Sequence, residues 1–89
     1  MNEQEKIIAL RVMEIIAEKL CLDLREVAGD KKLGADLGAD SLDAVDIALA
    51  LDEAFGMELP DELFALDHTV QHILNFIITA KAPHDTPPA

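Results

Sequence analysis

Apolar positions repeat with a helical period in three parts of the chain. Over residues 3–20, and again from residue 70 onward, apolar side chains recur three and four positions apart and polar ones take the opposite face. Residues 41–55 show the same period, with Asp40 placed to cap the start of a helix and Gly56 to end it. The pattern therefore predicts three long helices.

The connections between these helices differ in length. Glycines interrupt residues 22–38, which predicts a long loop with one helical turn near residues 24–27. Pro60 favours a short helix that continues to Leu66. We therefore predict an all-α fold, a small four-helix bundle of three longer helices and one short third helix, with a long loop between helices 1 and 2. The Pro-rich residues 82–89 are expected to form a disordered tail.

The charge of the chain narrows the choice of partners. Its 89 residues suffice for one domain, in which 18 Asp and Glu residues oppose 7 Lys and Arg residues to give a net charge of -11. No Lys or Arg lies between Leu33 and Ala80, whereas ten carboxylates do. Because this stretch would repel phosphates, nucleic acid and anionic membranes are not expected to bind. Basic protein surfaces are the expected partners.

We expect a monomer, and several features predict a cytoplasmic protein that does not insert into membranes. Cys21 is the only cysteine, so no intramolecular disulfide can form. The first residues are charged and acidic, unlike a signal peptide, and no apolar run approaches the roughly 20 residues that cross a bilayer. Cys21 itself is expected to be a small buried apolar residue.

The predicted helix over residues 41–55 has two apolar stripes on opposite sides. One stripe consists of Ile47, Leu51 and Phe55, with Ala44 and Ala48 beside it, and the other of Leu42, Val45 and Leu49. On a helical wheel, Asp46 and Glu53 lie within about 60° of the second stripe. Asp43 and Asp52 lie further out. An apolar row rimmed by carboxylates predicts a docking face for a basic, partly apolar partner. The alternative is a helix packed on both sides whose acids only solubilise its edges.

The segment around Ser41 strongly resembles the modification site of bacterial acyl carrier proteins. Residues 36–45 read DLGADSLDAV, and the similarity continues through residues 49–55, 59–62 and 69–71. The resemblance implies a carrier domain over the region before the tail, residues 1–81. It also implies that Ser41 carries covalent 4'-phosphopantetheine, which holds acyl intermediates as thioesters for fatty-acid or related lipid biosynthesis. The chain itself is not expected to be an enzyme.

The resemblance also implies which surfaces and partners are used. The family's docking positions correspond here to Asp40, Asp43, Asp46, Asp52 and Glu53, with Leu42, Val45 and Leu49 as apolar contacts. The implied partners are a phosphopantetheinyl transferase (holo-carrier synthase), acyl transferases, ketoacyl synthases, reductases and dehydratases, all docking through basic surfaces. Two alternatives stay open: a peptidyl or polyketide carrier domain, and an unmodified acidic helical adaptor.

The short third helix departs from the family, whose members usually keep it acidic. Leu63, Phe64 and Leu66 are not expected all to point inward from one or two turns. Their surplus apolar surface is expected either to enlarge the acyl cleft or to contact a dedicated partner, unless the short helix is merely better packed. His68 and His72 lie four positions apart, but without a third well-spaced ligand we predict no metal site.

Overall fold

The fold of residues 2–81, as described by a computed structural model, is helical. The α-helices are α1 (Glu3–Leu20), α2 (Ser41–Phe55) and α3 (Val70–Lys81), and two 3-10 turns span Leu24–Glu26 and Asp61–Phe64. The all-α prediction is confirmed. The predicted short third helix is instead the four-residue 3-10 turn Asp61–Phe64. The predicted count of four helices is therefore not confirmed. The predicted tail, residues 82–89, lies outside the described residues.

The helical period decides which residues form the core. The largest fully buried side chains come from all three helices and from the long loop, and are Val12, Ile16, Leu33, Ile47, Leu51, Val70, Ile73, Leu74 and Ile77. Helix α1 packs against α2 and α3, and the turn Asp61–Phe64 packs against α2 and α3. Within residues 2–81, no helix is long and apolar enough to cross a membrane.

Local signals set both ends of α2. The side chain of Asp40 accepts a hydrogen bond from the Asp43 amide at 2.9 Å, and the Asp43 carboxylate accepts one from the Asp40 amide at 3.1 Å. This reciprocal capping box satisfies two amides that the helix cannot satisfy itself. At the other end Gly56 adopts a left-handed conformation, with φ of 62°. The predicted start and end of this helix are both confirmed.

Backbone hydrogen bonds to the start of α3 hold the long loop in place. The amides of Val70 and Gln71 donate to the carbonyl oxygens of Lys31 and Gly29, at 2.9 and 2.8 Å. The loop thereby supplies the acceptors that the first amides of α3 lack. Further along the loop the Gly34 amide donates to the Leu66 carbonyl at 2.8 Å. These hydrogen bonds hold the loop against α3 and the residues before it, and the loop residues that make them all lie upstream of Ser41 in the chain.

Cys21 ends α1, but it is exposed, and the prediction of a buried residue is wrong. It adopts a left-handed conformation with φ of 57°, and its amide donates to carbonyl oxygens of the last helical turn. A residue in this terminating position points away from the helix face that enters the core, which is why it stays in solvent. Residues with a Cβ adopt the conformation at a cost that glycine avoids.

Replacing Cys21 by glycine is expected to stabilise the fold. Relief of the left-handed strain outweighs the extra unfolded-state entropy of glycine, leaving a gain of about 0.5–1 kcal/mol. For a domain of this size the gain corresponds to a rise in melting temperature of about 2–8 °C, measurable by circular dichroism. Cys21→Ala is the matched control because it removes the thiol and keeps the Cβ. An equal gain in both variants would contradict the backbone explanation.

Candidate functional site

Ser41 is the first residue of α2 and is exposed. The capping box joins Asp40 to Asp43, so Ser41 is not the residue that pairs with Asp43 to cap the helix. Within residues 2–81, no protein group accepts a hydrogen bond from the amides of Ser41 or Leu42. The serine hydroxyl therefore lies beside two open amides at the positive end of a helix, an environment that favours an anion.

An apolar cavity of about 490 Å³ opens beside Ser41 and is called here the Ser41 cavity. Its lining residues come from α2 and from the turn Asp61–Phe64 with the two residues after it; they are Ser41, Ala44, Val45, Ala48, Asp61, Phe64, Ala65 and Leu66. Three alanines leave the space that larger side chains would fill. The volume falls within the roughly 300–1,000 Å³ typical of ligand pockets. A hydroxyl at the mouth of an apolar cavity fits a phosphopantetheine arm that carries an apolar chain.

The turn Asp61–Phe64 buries more apolar surface than its sequence predicts. Leu63 and Phe64 are each 3% exposed, whereas Leu66 is half-buried, so two of the three side chains point fully inward and, as expected, not all three do. The turn packs against both α2 and α3, and adjacent side chains therefore find apolar neighbours on two sides. Phe64 and Leu66 line the Ser41 cavity, whereas Leu63 belongs to the core. Because both side chains are buried, neither Leu63 nor Phe64 lies on a surface that a partner could contact.

The outer face of α2, formed by Leu42, Val45 and Leu49, is exposed to solvent. These side chains are 75%, 53% and 60% exposed, whereas Ile47 and Leu51 on the opposite side are fully buried. The two predicted stripes are confirmed, and within residues 2–81 the helix is packed on one side and not on both. An exposed apolar row of this kind is typical of a binding surface.

The five acids predicted to serve docking occupy different environments. Asp46 and Glu53 are exposed and line a groove of about 480 Å³ between α2 and α1. Asp40 and Asp43 are occupied in the capping box. Asp52 is half-buried, and its Oδ1 accepts a hydrogen bond from the Leu59 amide at 2.9 Å, which fastens the segment after α2. Only Asp46 and Glu53 therefore combine exposure with freedom from a structural hydrogen bond within residues 2–81.

Sequence reasoning missed two features of this site. Asp52 holds the segment after α2 through its hydrogen bond from the Leu59 amide, which requires Gly56 to reverse the chain. Asp52 and Leu59 are seven residues apart, a separation that carries little sequence signal for such a bond. The cations Arg11 and Lys19 of α1 line the same groove as Asp46 and Glu53. Because α1 precedes α2 by a long loop, no local pattern relates these charges.

His68, two residues before α3, lies close to His72 in the first turn of that helix. Their ring centroids are 4.2 Å apart with the rings tilted by 45°, and His68 Nδ1 lies 3.2 Å from the Leu63 carbonyl oxygen. In the described part of the chain, no group of three or more His, Cys, Asp or Glu side chains is placed to hold a metal ion. His68 instead contacts the turn that walls the Ser41 cavity.

Comparison with known proteins identifies the family. The sequence model described as "Phosphopantetheine attachment site" matches residues 10–77. The chain is 43% identical over 77 residues to an acyl carrier protein of Guillardia theta, covering 86% of this chain and 93% of that protein. An acyl carrier protein of Thermosynechococcus vestitus shows the same identity and coverage. The chain therefore belongs to the acyl carrier protein family, and its cofactor is covalently attached 4'-phosphopantetheine.

Proposed function

We propose that this chain carries fatty-acyl intermediates on 4'-phosphopantetheine attached at Ser41, and that it performs no catalysis itself. The observation that carries the proposal is the position of Ser41, exposed at the start of α2 and at the mouth of an apolar cavity. When bound, the arm supplies a terminal thiol to which an acyl group is esterified. The remaining tasks, holding the phosphodiester and shielding the chain, fall to this chain's own residues.

The local geometry suits a phosphodiester at Ser41. The open amides of Ser41 and Leu42 and the positive end of the α2 dipole favour negative charge at this point. The nearest carboxylates, Asp40 and Asp43, each accept a hydrogen bond from a backbone amide, which partly offsets their repulsion of the phosphate. Nothing near Ser41 in sequence would activate its hydroxyl, so the transferase must supply the base.

The outer face of α2 supports docking to the enzymes that load and process the cargo. Leu42, Val45 and Leu49 offer apolar contact, and the neighbouring Asp46 and Glu53 attract basic surfaces. We expect a phosphopantetheinyl transferase, acyl transferases, ketoacyl synthases, reductases and dehydratases to share this face. Encounters steered by exposed charge are fast and weaken with salt, which suits a carrier that must be released after each step.

Intact-mass measurement separates a carrier from an unmodified adaptor. The purified chain is incubated with coenzyme A, magnesium and a phosphopantetheinyl transferase, with a known carrier protein modified in parallel. We expect a mass gain of one phosphopantetheine group; an unchanged mass while the parallel carrier is modified would overturn the proposal. The acyl species found on protein purified from its own cells then distinguishes fatty-acyl cargo from peptidyl or polyketide cargo.

Reversing the two exposed acids is expected to slow loading. Asp46→Lys combined with Glu53→Lys removes the attraction of a basic transferase surface, and kcat/KM should fall by about 10- to 100-fold at low ionic strength. The difference in kcat/KM between the double variant and the unsubstituted chain should shrink in high salt, because salt screens the charge interactions with the transferase. Glu3→Lys combined with Asp30→Lys is the control, since it changes the net charge equally at exposed positions away from α2. Equal losses in both double variants would show that net charge alone matters.

A further inference from the structure

We propose that Phe64 determines which acyl chains the domain shields, by closing the Ser41 cavity so that it accepts an unbranched, unfunctionalised alkyl chain of limited length. This inference rests on the proposed function, because the chain must first be tethered at Ser41. It concerns the identity of the cargo, which a phosphopantetheine attachment site by itself leaves undetermined.

One wall of the cavity consists mostly of small side chains, and the other carries its two largest side chains, Phe64 and Leu66. Along α2 the lining runs from Ser41 to Ala48, eight residues that span about 10 Å of helix axis. The facing wall is formed by the turn and the residues after it, and among residues 2–81 Phe64 is the only aromatic side chain that lines the cavity. A chain that enters beside Ser41 therefore lies along α2 and meets the Phe64 ring on its other side.

Phe64 is held firmly in this wall. Its side chain is 3% exposed although it borders an open cavity, so most of its surface is packed against the core. The turn that carries it is fastened on both sides, by the bond from the Leu59 amide to Asp52 and by the bond from the Gly34 amide to the Leu66 carbonyl. Because packed interiors do not deform cheaply, the ring defines a fixed boundary.

The other large lining residues lack this constraint. Leu66 is half-buried and Val45 is 53% exposed, so both can change rotamer toward solvent when a ligand enters. Phe64 is thus the lining residue whose size translates most directly into cavity size.

The chemistry of the lining indicates the class of cargo. In the part of the chain that the structure describes, the only polar side chains that line the cavity are Ser41 at its mouth and Asp61, which is exposed. A hydroxyl or amino group on the acyl chain would lose its hydrogen bonds to water inside this cavity and find few replacements. A plain alkyl chain gains about fourfold in the ratio of shielded to exposed forms for each methylene withdrawn from water. The gain stops once the alkyl chain fills the space that Phe64 leaves between its wall and α2.

The test loads the Ser41-modified protein with straight acyl chains of increasing length. For each chain we measure the melting temperature of the protein and the rate at which hydroxylamine releases the acyl group. In the unsubstituted protein, the melting temperature and the protection of the thioester against hydroxylamine should rise with each added methylene. Both should then level off at a certain chain length. In Phe64→Ala the levelling should move to longer chains by several methylenes, with about fourfold more protection for each further methylene.

Two further variants keep the test decisive. Ala48→Leu fills the cavity from the α2 side and should move the levelling to shorter chains, whereas Leu63→Ala weakens the neighbouring core without touching the lining and should not move it. An unchanged levelling point in folded Phe64→Ala, or in Ala48→Leu should Phe64→Ala not fold, would overturn the inference. Failure to load any variant, including the unsubstituted chain, would instead overturn attachment at Ser41.

Discussion

Ser41→Ala is expected to abolish phosphopantetheine attachment completely, with no measurable mass gain under conditions that convert the unsubstituted chain. Ser41 is the only serine in the sequence, and no tyrosine is present, so the remaining hydroxyls are Thr69, Thr79 and Thr86. The hydroxyl of Thr69 already accepts a hydrogen bond from the His72 amide. Because no other serine can take its place, the loss of phosphopantetheine attachment should be complete and not partial.

The fold should survive this substitution, and that makes the result interpretable. Ser41 is exposed and contributes nothing to the capping box of α2, which joins Asp40 to Asp43. Alanine is also a strong helix former at this position. Matching circular dichroism melts for the two proteins are the control. A folded Ser41→Ala chain that still gains the group would place the attachment at a threonine and refute Ser41.

The second large effect contrasts two leucines on opposite sides of α2. Leu51 is fully buried, and Leu51→Ala should cost about 2–5 kcal/mol of unfolding free energy. Against a total stability of about 5–15 kcal/mol, that loss brings a domain of this size near unfolding. Leu49 is 60% exposed, and Leu49→Ala should change unfolding free energy by no more than about 0.5 kcal/mol. Urea denaturation measures both.

The same pair has opposite expectations for docking. Leu49→Ala removes apolar surface from the outer face of α2 and should weaken binding to the transferase by about tenfold, measured by titration calorimetry at fixed salt. Leu51→Ala should leave binding by the folded fraction unchanged, because its side chain does not reach the surface. Equal binding losses for both variants would mean that stability, and not the outer face, controls docking.

The recognition of α2 required nothing beyond local sequence. Its start, its end and its two stripes all follow from nearest neighbours: Asp40 and Asp43 are three residues apart, Gly56 ends the helix, and the stripes follow from the 3.6-residue period. Because a helix orients its side chains by geometry alone, the exposed row and the buried row could be assigned before any partner element was known. The position of Ser41 at the start of the helix followed from the same signals.

Contacts between distant segments decided the rest. The turn Asp61–Phe64 buries both Leu63 and Phe64 because α2 and α3 flank it, which a period count along seven residues cannot anticipate. Asp52 became a fastening residue only because Gly56 returns the chain to it, and Cys21 stayed exposed because the helix ends there in a left-handed conformation. Local sequence thus determined that Ser41 is the first residue of α2 and which face of that helix is exposed. The cavity beside Ser41, which we propose receives the cargo, arises between α2 and the turn that follows it, and only their packing sets its size.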